Sequence, residues 1–354
     1  MSLAQQYVRP EISALSAYHV ADASGLLKLD AMENPFPLPP ELQQALAERL
    51  AHVALNRYPD PHGGGLKERL REAFDIPAEA ALILGNGSDE LITLVCQALA
   101  RQGAVLLAAE PSFVMYRMNA VFSQLRYVGV SLREDFSLDL EAMLAAIAEH
   151  APAVVFLAYP NNPTGPRYAR AEVEAILAAA PGLVVVDEAY AAFADDSFMN
   201  LAGQHPKLLV MRTVSKLGLA GIRLGYAAGP ADWIAELDKV RPPYNINVLS
   251  QAACHVALEH LAVFETQAAI LRQERGRLAA ALATMPGVTV FPSEANFVLA
   301  RVPDAPRSFA ALKAGGILIK SLHGGHPLLN HCLRFTVGTP AENDRVLAAL
   351  PNCL

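Results

Sequence analysis

A chain of 354 residues that is 53% hydrophobic and 18% charged can bury a sizeable core, which excludes intrinsic disorder. Its length suggests about two domains. Lys plus Arg number 28 against 35 Asp plus Glu, a formal charge of −7, so there is no overall electrostatic footprint for nucleic acid or anionic lipid.

Residues 1–40 contain Pro35, Pro37, Pro39 and Pro40 and read as an irregular, extended arm. The start lacks a basic region followed by an apolar stretch, and no apolar run approaches the roughly 20 residues of a membrane span. The expectation is a soluble, cytoplasmic protein. Residues 42–53 carry a helical pattern. Leu82-Ile83-Leu84 predicts a short strand running into Gly85-Asn86-Gly87-Ser88, and Leu91, Leu94, Val95, Ala98 and Leu99 then form one face of a helix. Short apolar runs at 105–108, 154–158, 183–186 and 208–211 alternate with helical patterns. That order predicts an α/β fold with a mostly parallel sheet covered by helices. A long helical stretch is expected over 248–283, then strands near 288–291 and 297–300 and a helix over 341–350. The division expected is a large domain at 41–250 and a smaller α+β domain at 251–354, with the 1–40 arm packed against the latter.

Ligands of open α/β sheets collect beyond the carboxyl ends of the strands, and four polar segments fall there. Gly85-Asn86-Gly87-Ser88-Asp89-Glu90 joins a strand to a helix, where free N–H groups can hold a phosphate, although Ser88 is equally a simple helix cap. Tyr159-Pro160-Asn161-Asn162-Pro163-Thr164-Gly165 is a rigid turn able to aim the Asn162 amide. Asp187 ends a buried strand in Val186-Asp187-Glu188-Ala189-Tyr190; it needs a cationic or hydrogen-bonding partner, unless it caps the segment that follows. Thr213-Val214-Ser215-Lys216 follows another strand and precedes Arg223. Lysine forms Schiff bases with carbonyl compounds, and the hydroxyls and guanidinium suit a phosphate. The four cysteines are too far apart for a disulfide framework or zinc cluster. His19, His52 and His62 lack metal-ligand spacing, and His323 and His326 lie in a Gly-rich loop read as flexible.

These segments, with Asp30-Ala31-Met32-Glu33-Asn34-Pro35, Asn56-Arg57-Tyr58-Pro59 and Leu333-Arg334-Phe335-Thr336-Val337-Gly338-Thr339, resemble the fold-type-I pyridoxal-phosphate aminotransferases over nearly the whole chain. Among them the match is to the histidinol-phosphate aminotransferase family. The resemblance implies a large domain with a mostly parallel sheet plus a smaller α+β domain. It also implies pyridoxal 5′-phosphate as cofactor and histidinol phosphate and glutamate or 2-oxoglutarate as alternating substrates. Lys216 would carry the cofactor aldehyde and shuttle a proton, and Asp187 would keep the pyridine nitrogen protonated. Asn162 and Tyr190 would bind the ring oxygen, and Phe113 would stack on the ring where relatives often have Tyr. Ser88, Asp89, Thr213, Ser215 and Arg223 would hold the cofactor phosphate, with Tyr58 reaching it from the second subunit of a homodimer.

On the substrate side the resemblance points to Arg334, Asn34, Tyr18 and Lys320. Many relatives have Arg-Asp where this chain has Lys320-Ser321, and the Lys216 to Arg223 spacing is one residue shorter than in many. Tyr18 is also open to a reading as a packing aromatic. Two other functions stay open: an aromatic aminotransferase or threonine-phosphate lyase on the same scaffold, and a cofactor-sensing regulator. The regulator would need a DNA-binding module for which the first forty residues leave no room. No metal is expected.

Overall fold

The computed structural model describes residues 2–17 and 20–354. In chain order its strands are β1 (Leu27–Lys28), β2 (Ala81–Gly85), β3 (Val105–Glu110), β4 (Arg126–Ser131), β5 (Val154–Ala158), β6 (Leu183–Asp187), β7 (Leu208–Thr213) and β8 (Gly225–Gly229). There follow β9 (Thr289–Val290), β10 (Phe297–Arg301), β11 (Ile317–Leu318), β12 (Lys320–Ser321) and β13 (Cys332–Thr336).

The main sheet has the order β2-β8-β7-β6-β5-β3-β4, parallel except that β8 runs against both of its neighbours. Every residue of β5 and β6 is buried, as expected of strands with helices on both faces. Successive side chains point to opposite faces. Val155, Leu157, Val184 and Val186 therefore enter one core, and Phe156 and Val185 enter the other. Because β3, β5, β6 and β7 are parallel, their carboxyl ends share one edge of the sheet, and Ala158 stands beside Asp187 in register.

A smaller antiparallel sheet, β12-β13-β10-β9, encloses a separate core with Leu278 and Leu282 of the helix Leu261–Ala283. The N-terminal segment is tied here: β1 pairs with β11, Thr336 N–H donates to Leu29 O at 3.2 Å, and Asn296 Nδ2 donates to Met32 O at 3.0 Å. Met32 consequently hangs over the edge of the main sheet.

Several expectations need correction. The arm is not wholly irregular, because Ser2 caps a helix at Leu3–Tyr7 and Pro10 opens a second at Pro10–Ser13. The long helical stretch is two helices, Val248–Glu259 and Leu261–Ala283, broken at His260. Strand β8, Gly-Tyr-Ala-Ala-Gly, carries too little apolar bulk to announce itself, yet its smallness fits it between β2 and β7. The four cysteines are buried and free. Among the described residues there is no group of metal-binding side chains, and no helix is long and apolar enough to cross a membrane.

Candidate active site

Asp187, the last residue of β6, is only 4% exposed. One carboxylate oxygen accepts from Tyr116 Oη at 2.7 Å and the other from the Ala189 N–H at 3.1 Å. Both suggestions made for it are thus present, since it caps its own turn and has a side-chain partner. Burial nevertheless pushes its pKa up to about 6, with the Tyr116 hydrogen bond opposing. Burial and the neighbouring Asp187 hold the Tyr116 phenol well above its ordinary range, so it stays a donor.

Lys216 lies in the turn after β7. Its Nζ donates to Ala31 O at 3.2 Å and sits 5.9 Å from the centre of the Tyr190 ring. Burial and then the Arg334 cation lower its pKa to about 8, which makes free amine available near neutral pH.

The helix Ser88–Ala98 begins after Gly87, whose φ of 81° is open to glycine. Ser88 is therefore the first helical residue and not the cap; no side chain caps this terminus, and its N–H groups are left for a ligand. Arg223 has a left-handed backbone, φ 55°, which lays its guanidinium against Gly87: a Cβ there would come within 2.5 Å of Nη2. Asp89 lies 3.5 Å from the same Nη2. Thr213 Oγ1 accepts the Ser215 N–H at 3.1 Å and is 2.9 Å from Ser215 Oγ. All these side chains line one cavity of about 100 Å³, together with Phe113, Asn162 and Tyr190.

A second cavity of about 520 Å³ adjoins it, sharing Met32, Phe113 and Asn162. Arg334, on β13, is 6% exposed; it donates to Asn162 Oδ1 at 2.6 Å and to Asp30 O at 2.9 Å. Lys320 stands opposite Arg334 in the β12–β13 register and lines the same cavity.

Two of the expected residues that the structure describes stand away from both cavities, Tyr58 having been expected at the second subunit's site. Asn34 does not line either cavity. Its Nδ2 donates to Leu217 O and Gln267 Oε1, each at 2.9 Å, and its Oδ1 accepts from Phe36 N–H, so its groups are committed to tying the arm to the Lys216 turn. Tyr58 is 81% exposed and stacks on Tyr244 with ring centres 4.7 Å apart. Tyr18 lies outside the described residues.

The family model for aminotransferases of class I and II matches residues 24–350. This chain belongs to that family. The aminotransferase is 70% identical to the histidinol-phosphate aminotransferase of Chromobacterium violaceum, over 98% of this chain and 97% of the relative. It is 57% identical to histidinol-phosphate aminotransferase 2 of Cupriavidus pinatubonensis, over 98% and 96%. In structure it resembles the Sinorhizobium meliloti histidinol-phosphate aminotransferase in complex with pyridoxal-5′-phosphate. The TM-score is 0.87 at 26% identity, covering 98% of this chain and 97% of that one.

Sequence reasoning missed two contributors to this aminotransferase site. Tyr116 occupies an apolar position of the helix Val114–Phe122, where nothing marks its hydroxyl as the partner of Asp187. Met32 was seen only as part of a string; its sulfur accepts from Tyr190 Oη at 3.3 Å. Neither contact leaves a local signature.

Proposed function

We propose that this aminotransferase exchanges the amino group of L-histidinol phosphate with 2-oxoglutarate, giving imidazole acetol phosphate and L-glutamate in a ping-pong cycle of histidine biosynthesis. The reading takes it as a cytoplasmic homodimer with shared active sites, a large cofactor-binding domain at 41–250 and a small domain at 251–354. The carrying observation is that Lys216 and Asp187 line one cavity while Arg334 and Lys320 line its neighbour, in a chain 70% identical to a histidinol-phosphate aminotransferase.

The residues fit pyridoxal phosphate, the cofactor of the family. At one end of the inner cavity an uncapped helix start, two hydroxyls and Arg223 offer donors for a dianion. At the other stands a buried carboxylate whose pKa burial raises and which a cationic ring nitrogen would pair. When bound, the cofactor supplies an aldehyde and a cationic ring that takes up the electron pair left when a substrate Cα–H bond breaks.

In this reading Asp187 holds the proton on the ring nitrogen, and Tyr116 holds Asp187 in its ionised form. Lys216 is the amine that carries the cofactor and moves the proton to and from the substrate Cα. Asn162 and Tyr190 bind the ring oxygen, Phe113 covers a ring face, and Ser88, Asp89, Thr213, Ser215 and Arg223 set the phosphate end. Arg334 grips the substrate anion, phosphate in one half-reaction and carboxylate in the other, with Lys320 beside it. The exposed Tyr58 reaches the second subunit's phosphate end. The test is a panel of amino donors and acceptors, with imidazole acetol phosphate against aromatic 2-oxo acids and glutamate as donor. Preference for imidazole acetol phosphate is expected; preference for an aromatic acid, or release of CO₂ from a phosphorylated amino acid, would replace the proposal with its rivals.

A further inference from the structure

The outer cavity, at about 520 Å³, lies within the usual size range of small-molecule sites and exceeds what a carboxylate on Arg334 requires. Its wall is cationic. Glu110 is already held by Arg117, 2.7 Å away, whereas Lys320 has no ion pair or side-chain hydrogen bond among the described residues. A lysine at this position is a point charge, without the fork through which an arginine takes two phosphate oxygens at once.

His326, in the loop after β12, lines the same cavity. The residue starts the short helix Pro327–Leu329, and its Nδ1 accepts the Leu328 N–H at 3.2 Å. An Nδ1 used as acceptor leaves the proton of the neutral ring on Nε2. That nitrogen has no protein partner among the described residues. Burial lowers the His326 pKa, opposed by Glu110 and assisted by Arg117, two of the charged groups that line the cavity with it, the others being Lys320 and Arg334. At neutral pH the ring is therefore uncharged, with one N–H to give.

We infer that His326 is a specificity-determining residue whose Nε2–H, with Lys320 and Arg334, completes a donor set for the phosphate of a phosphomonoester substrate, a set that a carboxylate substrate does not need. The inference rests on the proposed function and sharpens it by assigning the preference for phosphate to a loop histidine.

Two substitutions separate this role from a structural one. Asparagine at 326 can still accept the Leu328 N–H, as a helix cap does, but lacks the ring donor; glutamine puts an amide N–H near the position of Nε2. In the holoenzyme, H326N should lower kcat/KM for histidinol phosphate by roughly ten- to a hundredfold, the range for one hydrogen bond to a charged group. Its glutamate half-reaction should stay within about twofold, as expected of a group that touches only one of the two substrates. Inhibition by inorganic phosphate should weaken in parallel, and H326Q should recover most of both losses. Equal losses in the two half-reactions, or an inhibition constant for phosphate that does not move, would overturn the inference. If the wild-type enzyme fails to turn over histidinol phosphate, the broader proposal falls, and the phosphate inhibition constants still decide the role of His326.

Discussion

The inner cavity at the ends of β6 and β7 and the outer cavity below β12 share Met32, Phe113 and Asn162, yet they are made differently. The inner one is walled by residues at strand ends and the first turns after them, such as Asp187, Thr213, Ser215 and Lys216, fixed by the main sheet. The outer one is closed by two-residue β12 and the loop that carries His326. Fixed groups can hold unfavourable protonation states in place, as the raised pKa of Asp187 and the lowered pKa of Lys216 indicate. A loop wall can instead be altered residue by residue to suit a substrate. Chemistry should therefore reside on the inner side and selectivity on the outer.

The largest expected effect breaks the inner side outright. Lys216→Ala should remove at least the roughly 10²- to 10⁴-fold that a positioned base supplies, and both half-reactions in stopped flow should fail together. Asp187→Asn follows, with losses of roughly 10³-fold as the electron sink weakens. The same substitution makes a prediction about stability of opposite sign. Asp187 has a folded pKa of about 6 against an ordinary 3.8, so the stabilisation from its protonated form is complete below pH 3.8 and is lost as pH rises to 6. The cofactor-free D187N protein should melt above wild type at pH 8, by an amount worth on the order of 3 kcal/mol, and the gap should close near pH 4. A lower melt at pH 8 would mean the carboxylate is held by its neighbours without cost.

Arg334→Ala tests the seam between the cavities. If both substrate anions use the guanidinium, as proposed, both half-reactions should fall by roughly 10²-fold. The Lys216 pKa should rise from about 8, because the Arg334 cation is among the causes that lower it. Loss confined to the glutamate half would separate the two anion sites. Tyr116→Phe should have the smallest effect, about tenfold on the half-reactions, for one hydrogen bond to a charged partner. It should also raise the Asp187 pKa in the cofactor-free protein, readable by carboxyl NMR titration.

The same contrast explains what the sequence disclosed. Apolar strands followed at once by Asp187, by Thr213-Val214-Ser215-Lys216 or by Gly85-Asn86-Gly87-Ser88 mark strand ends, and the parallel sheet brings strand ends to one edge whatever the loops do. That Lys216 and Asp187 line one cavity was legible for that reason. Contacts across the fold were not: Tyr116 meets Asp187 across 71 residues, and Arg334 meets Asn162 across 172. Asn34 misled because its amide, in a segment that resembles the family's substrate-side string, turns inward to Leu217 and Gln267. His326 was set aside as part of a flexible loop, because a histidine beside glycines gives no hint that a backbone N–H fixes its tautomer.

The central claim is that Lys216 is the amine that holds the cofactor. Borohydride reduction of the holoenzyme, followed by proteolysis and mass spectrometry of the lysine-containing peptides, tests it most directly. The cofactor-derived mass should lie on the peptide containing Lys216 alone; finding it on Lys320 or another lysine would contradict the account.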